Sequence, residues 1–499
     1  MSSGADAVAP GSAARENTRQ FCDDELILPR MTQTTTSPAK AISAVPGSLP
    51  LVRAIRLLLV ILALAPAGLR SVLAAGKPNI VVILADDLGY GDLGCYGATR
   101  LRTPHLDRLA REGLRFTDFH SNGSICSPTR AALLTGRYQQ RSGIEDALSE
   151  KSSGLRADER TIAEYLKPAG YATGAFGKWH LGSKPDSAAL PNRQGFDEFH
   201  GCRHGGIDYT SHVDRYGRLD WWHDEKPVVE PGYATDLLTD HAVQFIGRHR
   251  DEPFFLYLAH TAIHFPWMTP EDRAYREEGK NYDNPSKLGP HSPAEITTVV
   301  NRMIERLDDG VGRVMEAIRA LPPGRETLVI FTSDNGGLVR TGGGFLKISS
   351  NGVLRGQKAG MHEGGHRVPC IAWWPGRISA GRETDAATMT MDFLPTFLEL
   401  AGVAIPPPGD PLAPDGVSLV PLLLRNEAPQ PRTLFWRGGA DMKAVRQGPW
   451  SLVIEHGGTP QLFHLGNDLS EKHDLAAAEP ERLRELLDAL AKWESQFKK

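Results

Sequence analysis

The sequence predicts an α/β fold built on a large, mixed and mostly parallel sheet with helices on both faces, and three observations predict it. Unbroken apolar runs such as Ile80-Val81-Val82-Ile83-Leu84 read as strands buried on both faces. These runs alternate with segments of helical composition over most of the chain, the pattern of a layered sheet. Polar and Gly-rich loops follow several of the runs, at the strand ends where ligands of open α/β sheets gather.

Composition is that of a globular protein, and a formal charge of −4 shows no basic excess that would suggest nucleic acid as a partner. The 499 residues suffice for one large α/β domain with an appendage, or for two to three ordinary domains. Residues 1–50 are polar and aperiodic, predicting a disordered extension, and Met31 offers an alternative start. Arg53 and Arg56 then precede an apolar run from Leu57 to Ala65, and small residues follow. Residues 51–75 therefore read as a signal peptide cleaved near Ala74 or Ala75, which predicts an exported protein, periplasmic or secreted. The run is shorter than the ~20 residues that span a bilayer, so no stable membrane anchor is expected. Cys22 leaves with the leader, and Cys95, Cys126, Cys202 and Cys370 remain, too few for a disulfide scaffold.

The first strand is expected over Asn79–Ala85, ending in Asp86-Asp87, and Thr103-Pro104 begins a helix that runs to Arg111. Ser124 to Arg137 reads as a loop feeding a short helix, with Ser127 as cap, Pro128 at the first helical position and Gly136 as stop. Cys126 then lies at a helix N-terminus, where free N–H groups and the dipole favour an anion, and Arg130 shares its face one turn on. A helix over Thr161–Ala169 and a strand over Tyr171–Phe176 lead to Gly177-Lys178-Trp179-His180-Leu181-Gly182. Residues 183–232 read as loops. A helix over Thr235–Arg248 and a strand over Phe254–Ala259 lead to His264 and Pro266. Residues 269–292 are expected as loop and Pro293–Leu321 as a long amphipathic helix. A strand over Thr327–Thr332 is followed by Asp334-Asn335, and Lys358 lies in a Gly-rich loop. Cys370–Trp374 reads as strand and Asp392–Ala401 as helix. Residues 76–404 thus form the expected main domain and 405–431 a Pro-rich linker. Residues 432–499 make a small unit of short strands closed by a helix over Glu479–Phe497.

Asp86, Asp87, Asp334 and Asn335 offer oxygen donors at two strand ends, a set suited to Ca²⁺ or Mg²⁺. No C-x-x-C or H-E-x-x-H motif argues for zinc. Lys178 and His180 alternate in an extended segment and point the same way.

Cys126, Pro128 and Arg130, followed by Thr135-Gly136-Arg137, resemble the defining motif of the type I sulfatases, members of the alkaline phosphatase superfamily. The two acidic pairs, G-K-W-H-L-G, H-x-P and L-R-x-x-K match further motifs of that family in order, between about Lys77 and Leu475. Ser350-Asn351-Gly352 and Ala372-Trp373-Trp374-Pro375-Gly376 point to its arylsulfatase and N-acetylgalactosamine-6-sulfatase branch, from which His362-Glu363 and His366 depart. The resemblance implies a small C-terminal antiparallel sheet. It implies that a maturation enzyme oxidises Cys126 to formylglycine, and that Ca²⁺, less readily Mg²⁺, is bound by Asp86, Asp87, Asp334, Asn335 and residue 126. Arg130, with the metal, then holds the hydrated formylglycine, and Lys178, His180 and Lys358 neutralise the sulfonate oxygens. His264 is the expected proton donor, since an imidazole titrates near neutrality. The expected substrate is a sulfated small molecule or glycan, whose subsite would draw on residues 200–225: His204, Asp208, Tyr209, His212, Trp221 and Trp222. The alternatives are a phosphate or phosphonate monoester hydrolase, or a non-catalytic sulfoglycan-binding protein with Cys126 unmodified.

Overall fold

A computed structural model describes residues 76–184, 187–282, 288–341 and 344–497. The predicted extension, signal peptide and cleavage site lie outside the described residues. Among the described residues no helix is long and apolar enough to cross a membrane.

In chain order the elements begin with β1 (Asn79–Ala85), α1 (Pro104–Glu112), β2 (Leu114–Phe116), β3 (Phe119–His120), α2 (Cys126–Thr135), α3 (Ile162–Leu166) and β4 (Ala172–Gly177). There follow β5 (Glu198–Gly201), β6 (Trp222–His223), β7 (Lys226–Pro227), α4 (Ala234–Arg248), β8 (Phe254–Ala259), α5 (Ile296–Arg319) and β9 (Thr327–Ser333). Next come α6 (Glu363–His366), β10 (Cys370–Trp373), β11 (Arg382–Thr384), β12 (Thr388–Met389), α7 (Phe393–Ala401) and α8 (Val420–Arg425). The tail holds β13 (Thr433–Arg437), β14 (Lys443–Gln447), β15 (Trp450–Ile454), β16 (Gln461–His464) and α9 (Pro480–Ser495).

The large sheet has the order β11-β2-β10-β9-β1-β8-β4-β5-β6-β7. Its middle is parallel, with β1 between β8 and β9, while β10 runs antiparallel to β9 and to β2. Alternation along β1 divides the core: Val81 and Ile83 join one apolar cluster with α1, α4 and α5, and Ile80, Val82 and Leu84 join another with α2, α3 and α7. A strand that is buried on both faces has no polar position to alternate, which is why its sequence is an unbroken apolar run.

Residues 183–232, expected as loops, contain β5, β6 and β7, which extend the sheet edge. The Pro-rich stretch contains α8. The helix carrying Cys126 begins two residues earlier than a Ser127 cap would dictate. Ile125 is the extended N-cap residue, and the Ser127 hydroxyl donates instead to the His180 carbonyl at 2.9 Å. Gly136 ends this helix in the left-handed region at φ 68°, as expected.

The tail forms a four-stranded antiparallel sheet, β13-β14-β15-β16. It grips the segment that leads into α2: Trp436 donates from Nε1 to the Ser121 carbonyl at 2.8 Å, and Arg446 pairs with Asp118 at 3.0 Å. The four cysteines in the described residues are free thiols.

His260, immediately after β8, is fully buried, and neither ring nitrogen has a hydrogen-bond partner. Burial pushes its pKa down to about 3. The unfolded chain therefore binds this proton more readily, so the stability contributed by the neutral ring is present above pH ~6.5 and is lost progressively as pH falls towards about 3. His260→Leu is expected to shallow the fall of melting temperature across that window. An unchanged slope would count against this origin.

Candidate active site

The carboxyl ends of β1 and β9 lie side by side, with Ala85 opposite Ser333, so parallel pairing alone brings Asp86-Asp87 beside Asp334-Asn335. Asn335 donates from Nδ2 to Asp87 Oδ1 at 2.9 Å, and the Asp87 N–H donates to Asp334 Oδ1 at 3.3 Å. Each carboxylate has a cationic partner. Lys178, beyond the end of β4, donates to Asp86 at 2.7 Å. Arg130 of α2 donates from Nε and Nη2 to Asp334 Oδ2 at 3.1 and 2.7 Å, and Lys358 donates to Asp87 at 2.9 Å. Arg130 also donates from Nη1 to the Lys178 carbonyl at 2.6 Å, so its guanidinium is fixed from both sides.

Charge sets the electrostatics. Burial and the neighbouring Asp334 push the Asp86 carboxyl well above its ordinary range. Against burial, Lys358, His264 and Lys178 hold Asp87 below it. Burial opposes the charge on Lys178 and Lys358, yet Asp86 raises the first and Asp87 the second. Burial lowers the pKa of both His180 and His264, and the nearby lysines add to it. The lowered pKa of His264 departs from the near-neutral titration expected of an isolated imidazole.

Cys126 opens α2, and its Sγ lies 3.2 Å from His180 Nδ1, whose Nε2 contacts the Leu148 carbonyl at 3.0 Å. His264 Nδ1 contacts the Phe265 carbonyl at 2.8 Å. The expected site residues are thus assembled at one end of the sheet from six separate segments. The donor set fits a hard cation. Asp86 Oδ1 and Asn335 Oδ1 are buried oxygens without a hydrogen-bond partner, and acceptors left so are costly unless something positive meets them. One ligand atom each from Asp86, Asp87 and His264 also falls within 4.8 Å of the others.

A cavity of about 300 Å³ opens over Cys126, His180, His264 and Lys358. Its walls come from Ala147–Glu150, from His204, Gly205 and Gly206, from Asp214, Arg215 and Tyr216, and from Arg276. Of the subsite residues expected within 200–225, His204 lines this cavity. Trp221 is fully buried with His212 stacked on it at 4.3 Å, and Tyr209 donates to the Thr261 and His264 carbonyls. Asp208 accepts backbone N–H groups, among them those of Tyr275 and Arg276, and Trp222 packs under Arg203 rather than over the cavity. These residues shape the loop from inside. The walls left unread include Gly205 and Gly206. A Cβ at Gly205 would stand 2.8 Å from His180 Cε1, and one at Gly206 would stand 2.9 Å from His264 Nδ1. The adjacent glycines were the available signal, since a missing Cβ permits close approach. Gly206→Ala is expected to displace His264 and lower kcat at least tenfold, roughly the scale of a misplaced proton-transfer group. Wild-type kcat with an unshifted His264 resonance would show that the ring has room.

The Sulfatase family profile matches residues 78–403. Arylsulfatase A of Homo sapiens is 38% identical over 429 residues, covering 77% of this chain and 77% of that protein. N-acetylgalactosamine-6-sulfatase of Homo sapiens is 34% identical over 462 residues, covering 82% and 83%. Among solved structures, Ps i-CgsB in complex with k-i-k-neocarrahexaose superposes with a TM-score of 0.73 at 32% identity, covering 84% of this chain and 92% of that one. With the profile spanning well over half of its length, this chain belongs to the sulfatase family of sulfuric ester hydrolases.

Proposed function

We propose that the enzyme hydrolyses sulfate monoesters of sulfated sugars, using a nucleophile made from Cys126. The observation that carries this reading is the position of Cys126, at a helix start on the cavity floor with Arg130, Lys178 and Lys358 around it. The curated relative that acts on a sulfated sugar by name, and the structural neighbour with a bound oligosaccharide, support the substrate class.

Formylglycine, formed from Cys126 by a maturation enzyme, would supply as its hydrate two hydroxyls on one carbon, one to attack sulfur and one to expel sulfate afterwards as the aldehyde re-forms. Ca²⁺, or less readily Mg²⁺, held by Asp86, Asp87, Asp334, Asn335 and residue 126, would supply positive charge where the ester oxygens and the nucleophile carry negative charge. Arg130 fixes the orientation of this corner by spanning Asp334 and the Lys178 carbonyl. Lys178 and Lys358 place ammonium charge beside the transferred sulfonyl group, a preorganised stabilisation that costs little reorganisation during the reaction itself. His180, against residue 126, orients the nucleophile. His264 stands at the cavity edge as proton donor to the departing sugar oxygen, where the negative charge of bound sulfate, offsetting Lys178 and Lys358, would favour its protonated form, and the loop bearing Gly205 and Gly206 lies against both rings. Export through the signal peptide at residues 51–75 completes the reading.

The test of the proton donor is leaving-group dependence. His264→Ala is expected to slow sugar-sulfate hydrolysis by roughly a hundredfold or more, the scale of lost general acid catalysis, and to slow nitrophenyl sulfate much less. Equal losses would make His264 a sulfate-binding group and Lys358 the candidate acid. A phosphate or phosphonate ester hydrolysed faster than the sulfate ester would overturn the substrate assignment.

A further inference from the structure

We propose that His200, Glu230 and His241 form a second metal site, for a zinc-class divalent cation, which clips together the base of the loop that walls the cavity. His200 lies on β5 opposite His223 on the antiparallel β6. The chain between them, residues 202–221, supplies His204, Gly205, Gly206, Asp214, Arg215 and Tyr216 to the cavity. Whatever fixes His200 to its surroundings therefore fixes both ends of that loop.

The site is built from three directions. His241 of α4 stacks on His200 with ring centroids 3.8 Å apart, and His223 stacks on it at 4.0 Å. Glu230 approaches His241 Nε2 with its two oxygens at 3.0 and 3.1 Å, and its Oε2 accepts from the Trp221 indole at 2.7 Å. One ligand atom each from His200, Glu230 and His241 falls within 4.8 Å of the others, and the His200 and His241 rings, whose planes are 13° apart, must turn for both lone pairs to meet one ion. His200 is 8% exposed and its Nδ1 is buried without a hydrogen-bond partner, a desolvated lone pair that no protein group satisfies. The Glu230 and His241 side chains keep 27% and 13% exposure, so an ion reaches the site from solvent. Two imidazoles and a carboxylate suit Zn²⁺, whereas the oxygen donors of the catalytic centre suit Ca²⁺. The two sites are thus separable by metal type.

The test uses the full exported chain without a polyhistidine tag, in saturating Ca²⁺, titrated with ZnCl₂ by calorimetry and followed by metal analysis after dialysis. One tightly held zinc per chain is expected. His241→Asn and, independently, Glu230→Gln should weaken it by roughly tenfold or more, the scale seen when a metal site loses a supporting group. Asp87→Asn should leave it unchanged. In zinc-free buffer both site variants should turn over substrate as wild type does, showing that they fold. Zinc should also slow proteolytic cleavage within residues 202–221 of wild type but not of the variants. No zinc retained, equal retention by the variants, or retention lost only in Asp87→Asn would overturn the site. Unchanged cleavage would overturn the clip.

Discussion

Cys126→Ala is expected to abolish turnover, by on the order of 10⁴-fold or more, the scale on which enzymes lose rate when the nucleophile is removed. The fold should survive, because the change removes one sulfur from a packed helix start and leaves Arg130 and its two anchors in place. Coincident melting curves and a lost rate separate the two effects. Peptide mass decides the chemistry: fully active enzyme carrying only unmodified cysteine at position 126 would refute formylglycine as the nucleophile. Cys126→Ser should also be inactive unless the host's maturation enzyme accepts serine, since a single hydroxyl can take up sulfate but has no second hydroxyl with which to release it.

Arg130→Met is expected to have the largest effect on stability. Arg130 is fully buried and meets Asp334 with two N–H groups, so its loss strands a buried carboxylate and also frees the Lys178 carbonyl. Breaking a buried pair in this way typically costs about 3–5 kcal/mol. Urea unfolding should register most of that loss, and Ca²⁺ should restore part of it by taking over the charge that Asp334 loses. A loss below about 1 kcal/mol would mean that Asp334 is protonated in the variant, which the pH dependence of the difference would reveal.

What was legible in the sequence follows from how far each feature depends on its own residues. The central strands could be read because a strand covered on both faces must be apolar throughout. Most site residues could be read because they lie in the first few residues past such a strand, or in a motif with its own helix signal; Lys358, in a Gly-rich loop, was read from the L-R-x-x-K resemblance alone. The three-residue β2 and β11 and the two-residue β6 could not be read, since pairing with distant strands rather than local preference makes them strands, and β7 is a two-residue edge strand that pairs with β6 alone. Tyr209, Trp221 and Trp222, expected to face a subsite, do not line the cavity, for a related reason. A tryptophan in a loop declares apolar area but not direction, and Trp221 turned inward because Glu230 accepts from its indole there. Ser127 did not cap its helix because the His180 carbonyl, more than fifty residues on, competes for its hydroxyl.

The place of β1 between β8 and β9 also sets a timetable. Asp87 and Asn335, which meet across β1 and β9, are 248 residues apart in sequence. At about 5–20 residues per second, a ribosome needs roughly 10–50 s to make the chain between them. Contacts so distant also fold slowly, because the closure entropy is spent before the pairing rewards it. Through that interval β1 lacks its neighbour, and α2 lacks the Asp334 carboxylate that holds Arg130. Cys126, 3% exposed once the sheet is complete, is still on an open chain. The oxidation proposed for this cysteine therefore has a deadline set by the arrival of β9, and variants that hasten closure of the sheet should leave a larger fraction of molecules with an unconverted thiol.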